Sequence, residues 1–145
     1  MKTAEGKNKE DSISTSRSSE ETKERVILCV NAALNKKPHK LSIIRISELS
    51  SFADYFIVCS GSSDRQVQAI AEAIRAGLKK DNILPLGIEG ERTGQWILMD
   101  YGDMVVHIFY EPLREFYNIE GLWSDAPTME VDETVQNITA DDPVP

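Results

Sequence analysis

Cysteine, histidine and long apolar runs are all scarce in this sequence. Its 145 residues include two cysteines, Cys29 within a helical pattern and Cys59 at the end of an apolar run. A domain of this length can build its own hydrophobic core without a disulfide, so both thiols are predicted to be reduced and buried. The longest strongly apolar run, Tyr55–Cys59, is too short to span a bilayer. The first 25 residues hold six acidic side chains and no apolar signal-peptide core, so a cytoplasmic protein is expected.

Sequence motifs for catalysis or metal binding are lacking as well. The two histidines, His39 and His107, have no cysteine, histidine or carboxylate at ligand spacing, so neither a metal nor a cofactor is predicted. No phosphate-binding loop of the GxxxxGKS/T or GxGxxG type is present. Gly61-Ser62-Ser63 precedes a predicted helix and could bind an anion, but a serine helix cap is the favoured interpretation. A Cys59–His107 dyad is disfavoured because a thiolate is unstable inside an apolar run.

Negative charge dominates the chain and is unevenly distributed. The formal net charge is −8 at pH 7. Residues 81–145 hold fourteen acidic side chains against only Arg92 and Arg114, which gives a local sum of −12. This half would be repelled by a phosphate backbone and attracted to a basic protein. Little direct nucleic-acid contact is therefore expected, although the basic segment Lys36–Arg45 could reach a phosphate.

Composition divides the chain into three segments. Residues 1–17 are rich in Lys, Glu and Ser with almost no large apolar side chain, so they are predicted to be disordered. Residues 18–126 carry the periodic apolar patterns of one folded domain. Residues 127–145 are acidic and contain proline with few large apolar residues, which predicts a disordered tail.

Apolar periodicity predicts the element order α-β-β-α-β-β-β-α. A capping-box pattern at Ser18–Glu21 begins the first helix, and Pro112 begins a short last helix. Pro85 interrupts the strand that contains it, which is therefore predicted to be an edge strand or a loosely paired one. This order predicts an α/β (α+β) domain with a mixed five-stranded sheet flanked by helices. The strands are predicted at Leu41–Ile46, Tyr55–Ser60, Ile83–Ile88, Gln95–Met99 and Met104–Phe109.

The clearest strand pair is the hairpin formed by the last two predicted strands. A four-residue turn, Asp100–Asp103, would pair Met99 with Met104 and Trp96 with His107. Because side chains alternate along a strand, one face of the hairpin is entirely aliphatic and is assigned to the core. The other face carries Trp96, Leu98, Val105, His107 and Phe109.

That second face combines large apolar side chains with the polar groups of Trp96 and His107. Such side chains favour sites where one part contacts apolar groups and the other contacts water. Three predicted helices do not ensure that both sheet faces are covered, and an uncovered apolar strip usually marks an interaction site. A helix that covers Trp96 is the alternative. We predict a partner-binding surface whose candidate residues are Arg65, Trp96, Leu98, Asp100, Tyr101, Asp103 and His107.

Several motifs together resemble one known family. They are Phe52–Gly61 (FADYFIVCSG), Arg65-Gln66-Val67, Glu89-Gly90, Gly94–Asp103 (GQWILMDYGD), Val105-Val106-His107, Tyr117 and Leu122–Ala126 (LWSDA). In combination these residues resemble the Iojap family, the ribosomal silencing factors. The resemblance covers about residues 20–126.

This resemblance implies a nucleotidyltransferase-like fold without catalytic activity. Only Glu72 follows Gly61-Ser62 where such an enzyme would place paired metal-binding carboxylates. The resemblance further implies binding to the large ribosomal subunit through its protein L-fourteen, a basic protein near the intersubunit surface. The bound factor would sterically stop the small subunit from joining and lower translation when nutrients are scarce. Family members can also form a homodimer.

Two alternatives stay open on the residues themselves. A nucleotidyl- or phosphotransferase would use Ser62, Arg65 and the Asp100/Asp103 pair. A homodimeric assembly factor would use the hairpin as its dimer face.

Overall fold

The structure is a computed structural model that describes residues 17–145. Apart from Arg17, the segment predicted to be disordered at residues 1–17 lies outside the described residues. The described part of the chain forms three α-helices, one 3₁₀ helix and six strands. In chain order these are α1 (Ser19–Leu34), β1 (His39–Arg45), β2 (Tyr55–Gly61), α2 (Asp64–Lys79), β3 (Gly87–Glu89), β4 (Trp96–Asp100), β5 (Met104–Tyr110), α3 (Glu111–Tyr117), the 3₁₀ helix (Ile119–Trp123) and β6 (Thr128–Val131).

Side-chain caps explain where the two long helices begin. The Glu21 N–H donates to the Ser18 hydroxyl at 3.1 Å, and the Ser18 N–H donates to the Glu21 carboxylate at 2.9 Å, which confirms the predicted capping box. Ser63 caps α2 by accepting from the Gln66 N–H at 3.1 Å. The apolar stripe of α2 is fully buried and consists of Val67, Ile70, Ala71, Ile74 and Leu78.

A single sheet with strand order β3-β4-β5-β2-β1-β6 organises the domain. β2 and β5 are parallel, and the other neighbouring pairs are antiparallel. The predicted mixed sheet is confirmed, but it has six strands instead of five because the chain beyond residue 126 adds β6. The predicted edge strand is β3, but it is Gly87–Glu89 and begins after Pro85, whereas the predicted strand Ile83–Ile88 contained that proline.

Helices cover the two faces of the sheet unequally. α1 and α2 lie on one face, over the main core, which contains Ile43, Ile57, Ile97 and Ile108. α3 and the 3₁₀ helix pack on the other face against a smaller cluster centred on Val58 and Phe109. Because α3 contacts β2 and β5, the β4 side chains on this second face are only half-buried.

The β4–β5 hairpin has the predicted faces but a different register. Trp96 pairs with Phe109, two residues beyond the predicted partner. The loop holds only Gly102 and Asp103, because the Tyr101 N–H donates to the Met104 carbonyl at 2.9 Å. Gly102 has φ of 89°, the left-handed conformation that a two-residue hairpin loop needs at this position. A shift of two residues leaves each side chain on its face, so the predicted faces are confirmed.

The prediction of a disordered tail for residues 127–145 is wrong. Thr128–Val131 pairs with β1 as β6, and Ile138 and Val144 are buried in the main core. Asn31 holds the C-terminal segment against α1 with two hydrogen bonds. Its side chain accepts from the Ile138 N–H at 2.7 Å and donates to the Ile138 carbonyl at 2.9 Å. A few well-spaced apolar residues are enough to bury the segment, and average composition does not detect them.

Candidate functional site

The candidate site is the part of the sheet that α3 leaves half-covered. Phe56 of β2, Trp96 and Leu98 of β4 and Val105 of β5 are all half-buried there. We call these four residues the β4–β5 face. Each of them still exposes apolar surface that a partner could remove from water.

Trp96 is held in one orientation from several sides. Its indole N–H donates to Nδ1 of His107 at 3.2 Å. The indole stacks on Phe109 with ring centroids 4.8 Å apart, and the ring of Tyr117 from α3 lies 4.9 Å away. A side chain ordered in this way loses little conformational entropy when a partner binds it.

His107 is buried beneath the face, so the prediction that it points outward is wrong. It is only 5% exposed, and its ring centroid lies 4.6 Å from that of Phe56. Burial lowers the pKa of His107 from 6.5 to about 4, so the imidazole is neutral at neutral pH. Since Nδ1 accepts the bond from Trp96, the proton is assigned to Nε2, which has no hydrogen-bond partner among the described residues. His107 therefore positions Trp96 and exposes almost none of its own surface.

Tyr101 and Asp103 are also buried, which contradicts their prediction as accessible residues of the partner-binding surface. Tyr101 lies four residues after Ile97, so the alternation of side chains along the strand puts both on the same face of the sheet. The Tyr101 side chain therefore packs in the main core, under α1 and α2. Its hydroxyl has no partner in residues 17–145, and burial raises its pKa. Arg25 of α1 donates to the Asp103 carboxylate at 2.9 Å, and Arg17 approaches the same oxygen at 3.6 Å. These contacts hold the turn between β4 and β5 against α1.

The other predicted residues are accessible. Leu98 and Asp100 are half-buried, and the Asp100 carboxylate accepts from the Gly102 N–H at 2.9 Å. Asp100 therefore supports the turn and still offers a charge at the border of the face. Arg65 is exposed in the first turn of α2.

Exposed apolar residues at the border of the β4–β5 face were not predicted. Phe116 and Leu122 are 76% and 78% exposed, and Tyr117 is 49% exposed. The helices that carry them touch the face through the Trp96–Tyr117 ring contact and packing between Phe56 and Trp123. The sequence carries a weak signal for these exposed residues. Phe116 and Tyr117 are consecutive, and neighbouring side chains on a helix point about 100° apart, so one short helix directs them to different parts of its surface.

The residues of the transferase alternative do not come together. Ser62 and Arg65 follow the end of β2, whereas the Asp103 carbonyl accepts from the backbone N–H groups of Asp54 and Tyr55 at its start. Since β2 has seven residues, the two groups lie about 20 Å apart along the strand.

Cys59 and His107 lie on opposite faces of the sheet. Cys59 belongs to the main core under the helices, and burial raises the pKa of its thiol to about 12. Cys29 and Cys59 are both buried and free, as predicted. Within residues 17–145, no group of three or more His, Cys, Asp or Glu side chains could hold a metal ion. No helix in that range is long and apolar enough to cross a membrane.

A groove of about 1360 Å³ lies beside α3, between that helix and the β1–β6 edge of the sheet. One of its two cations, Arg114, is neutralised by Glu120 through bonds of 2.9 and 2.8 Å. The remaining cation is Lys40, so the groove is strongly negative. Its acidic residues are Glu111, Glu115, Glu120, Glu130, Asp132 and Glu133.

Comparison with known proteins gives a consistent result. A family model described as ribosomal silencing factor during starvation matches residues 19–144. The ribosomal silencing factor of Halalkalibacterium halodurans is 39% identical over 108 residues, which is 74% of this chain and 92% of that protein. A mouse protein named mitochondrial assembly of ribosomal large subunit protein 1 is 27% identical over 100 residues, 67% of this chain and 44% of its own length. A crystal structure of a Chromobacterium violaceum protein superposes with a TM-score of 0.71 at 36% identity, covering 72% of this chain and 87% of that one.

Proposed function

The chain belongs to the family of ribosomal silencing factors, and from this premise we propose that it binds the large ribosomal subunit through ribosomal protein L-fourteen. The bound protein sterically blocks the small subunit from joining and so represses translation, notably under nutrient limitation. The name of the mouse relative, which refers to assembly of the large subunit, supports that subunit as the partner.

The observation that carries this proposal is the β4–β5 face with its ordered tryptophan. Trp96 is half-buried, hydrogen-bonded to His107 and stacked on Phe109 before any partner arrives. Tryptophan is among the residues that contribute most when buried at the centre of an interface. Leu98 and Val105 extend the apolar contact, and the exposed Phe116 enlarges it at one border.

Electrostatics support a basic protein as the direct partner. The chain carries a net charge of −8, and the groove beside α3 concentrates carboxylates on the side of the molecule that holds the second face. Opposite charge accelerates encounter and orients the approach, while the apolar contacts supply most of the affinity.

Steric exclusion needs only a body of sufficient size at the subunit interface. A compact domain of this length has a radius of gyration of about 14 Å. Such a domain is far thicker than one layer of side chains, so the two subunits could not close around it. Repression of this kind requires no chemical step.

The proposal is tested by sedimentation with purified large subunits, followed by a subunit-joining assay. The protein should move with the large subunit and should lower the yield of joined ribosomes as its concentration rises. Subunits reconstituted without L-fourteen should fail to carry it. Equal binding to complete and L-fourteen-deficient subunits would exclude that protein as the receptor.

Variants of the face locate the contact. Trp96→Ala should weaken binding by about 2 kcal/mol or more, which is roughly 30-fold in Kd. Leu98→Lys should weaken it as well, because it places a cation against a basic partner without removing a ring from the aromatic cluster. Leu28→Ala is the matched control, since Leu28 is a partly exposed apolar residue on α1, in the opposite layer. Full binding by both face variants would place the contact elsewhere.

A homodimer through the same face is the alternative use of this apolar surface. It predicts a molecular mass that rises with concentration in light scattering and falls to that of the monomer in Leu98→Lys. Ribosome binding and dimerisation would then compete, because both would bury Trp96.

A further inference from the structure

A group of exposed cations lies at one corner of this acidic protein. Lys36 and Lys37 follow α1, Lys40 is in β1, and Arg65 is in the first turn of α2. All four residues are exposed. We call them the basic corner.

The side chain of Gln66 holds this corner together. Its Nε2 donates to the carbonyls of Lys36 and Lys37 at 3.2 and 3.0 Å. Its Oε1 accepts from the backbone N–H and the hydroxyl of Ser62 at 2.7 and 3.0 Å. The lysine-bearing turn and the start of α2, which carries Arg65, are therefore one fixed unit.

Among the described residues, no carboxylate pairs with Lys36, Lys37 or Arg65, while Lys40 also lines the acidic groove beside α3. None of them makes an ion pair within 4.0 Å in that part of the chain, whereas Arg25, Arg75 and Arg114 each do. Arg65 also stands near the positive end of the α2 dipole, where a cation is disfavoured. Lys37 and Lys40 have left-handed backbone, with φ of 51° and 49°, where glycine or asparagine would fit with less strain.

The basic corner lies at the Trp96 end of the β4–β5 face. Ser60, just before the Ser62 loop, pairs with Phe109, and Phe109 pairs with Trp96. Two strand spacings, about 10 Å, therefore separate the Trp96 backbone from the end of β2. Gly94, two residues before Trp96, lies close to Asp64, which directly precedes Arg65. A Cβ atom added at Gly94 would come within 2.6 Å of the Asp64 carbonyl oxygen.

We propose that the basic corner binds the phosphate backbone of ribosomal RNA while the β4–β5 face binds its protein partner. This inference rests on the proposed function and adds a second contact of different chemistry. A basic protein would be repelled by the corner, whereas RNA phosphates would be attracted to it. The net charge of the remainder of the chain is negative, so the RNA contact is assigned to these few cations, where it fixes the orientation of the docked protein.

The test measures binding to large subunits as a function of salt. Each cation that neutralises a phosphate adds about 0.7 to 0.9 to the slope of log K against log salt. The double variant Lys37→Asn/Arg65→Gln should therefore reduce the slope by about 1.5. Between about 50 and about 200 mM salt, wild type should lose roughly tenfold more affinity than this variant. Asparagine suits the backbone of residue 37, and the loss of Arg65 relieves the helix dipole, so the variant should fold.

Lys79→Gln/Lys80→Gln is the matched control. It makes the same change in net charge at the other end of α2, where both lysines are exposed. This control should keep the wild-type slope, and the corner variant should bind isolated L-fourteen as tightly as wild type does.

The outcomes separate this inference from the proposed function. If Trp96→Ala lowers binding but the corner variant keeps the wild-type slope, the RNA contact is wrong and the proposed function stands. An equal loss of affinity for isolated L-fourteen and for subunits would assign the corner to protein instead. If wild type does not bind subunits at all, both proposals fail.

Discussion

The indole N–H of Trp96 donates to Nδ1 of His107 across 3.2 Å, and this bond joins an accessible residue to a buried one. Trp96 is the partly exposed member, while His107 is 5% exposed and neutral. Only the neutral imidazole can accept this bond, since a protonated ring has no free lone pair. The orientation of Trp96, the predicted docking residue, therefore depends on the protonation state of a residue that is almost fully buried.

The pH dependence of stability should report this burial. The pKa of His107 is about 4 in the folded protein, below its ordinary value of 6.5. Between these values the unfolded chain holds more protons, so the contribution of His107 is complete above pH 6.5 and is lost as pH falls towards 4. From about pH 7 to about pH 5 it should lower the free energy of unfolding by about 2 kcal/mol.

Urea unfolding of His107→Gln at the two pH values checks this. The variant should lack that part of the pH dependence, while His39→Gln, which changes the more exposed histidine, should keep it. Identical pH profiles for wild type and His107→Gln would contradict the assignment.

Removal of the Tyr101 hydroxyl should not destabilise the protein. This hydroxyl is buried without a hydrogen-bond partner among the described residues, so Tyr101→Phe removes a desolvated polar group and should leave stability equal or up to about 1 kcal/mol higher. Tyr55→Phe is the control, because the Tyr55 hydroxyl donates to the Pro145 carbonyl at 2.5 Å. Loss of the Tyr55 hydroxyl should lower the free energy of unfolding, measured by chemical denaturation, by about 1 kcal/mol. A larger loss for Tyr101→Phe than for Tyr55→Phe would be the opposite of this expectation.

The Arg25–Asp103 pair should be important for stability. The Arg25 and Asp103 side chains are 14% and 1% exposed. Asp103→Asn therefore leaves a mostly buried guanidinium without a counter-charge and should lower the free energy of unfolding by about 3 kcal/mol. A double-mutant cycle with Arg25→Met should give a combined loss well below the sum of the two single losses. Asp100→Asn, which can still accept the turn hydrogen bond, should cost at most about 0.5 kcal/mol. Additive losses in the cycle would show that the pair is not coupled.

The C-terminal segment should contribute to the cooperative fold. Ile138 is 2% exposed in the main core, so Ile138→Ala should lower the free energy of unfolding by about 3 kcal/mol. Asn31→Ala should cost about 1 to 2 kcal/mol, because it removes both bonds to the Ile138 backbone. Gln136→Ala, at an exposed position of the same segment, should have no measurable effect. A segment that does not pack would make all three variants equal to wild type in thermal and urea unfolding.

Local patterns predicted much of the architecture. The capping box at Ser18 and the apolar stripe of α2 depend on residues three or four positions apart, and both were confirmed. Alternation also placed Ile97 and Trp96 on opposite faces of the hairpin correctly, even though the pairing was off by two residues. Side-chain alternation has a period of two, so that error did not change the faces.

The sequence alone determined the faces of the strands, the helix starts and the resemblance to ribosomal silencing factors. Only the tertiary structure decided which candidate residues a partner can reach. Tyr101, Asp103 and His107 are covered by groups distant in the chain, and Arg25, which binds Asp103, is 78 residues away from it. Periodicity reports the side of a strand on which a residue lies. Burial depends on which helix or strand crosses that side, and that is settled only when long-range packing offsets the entropy of ordering the whole chain.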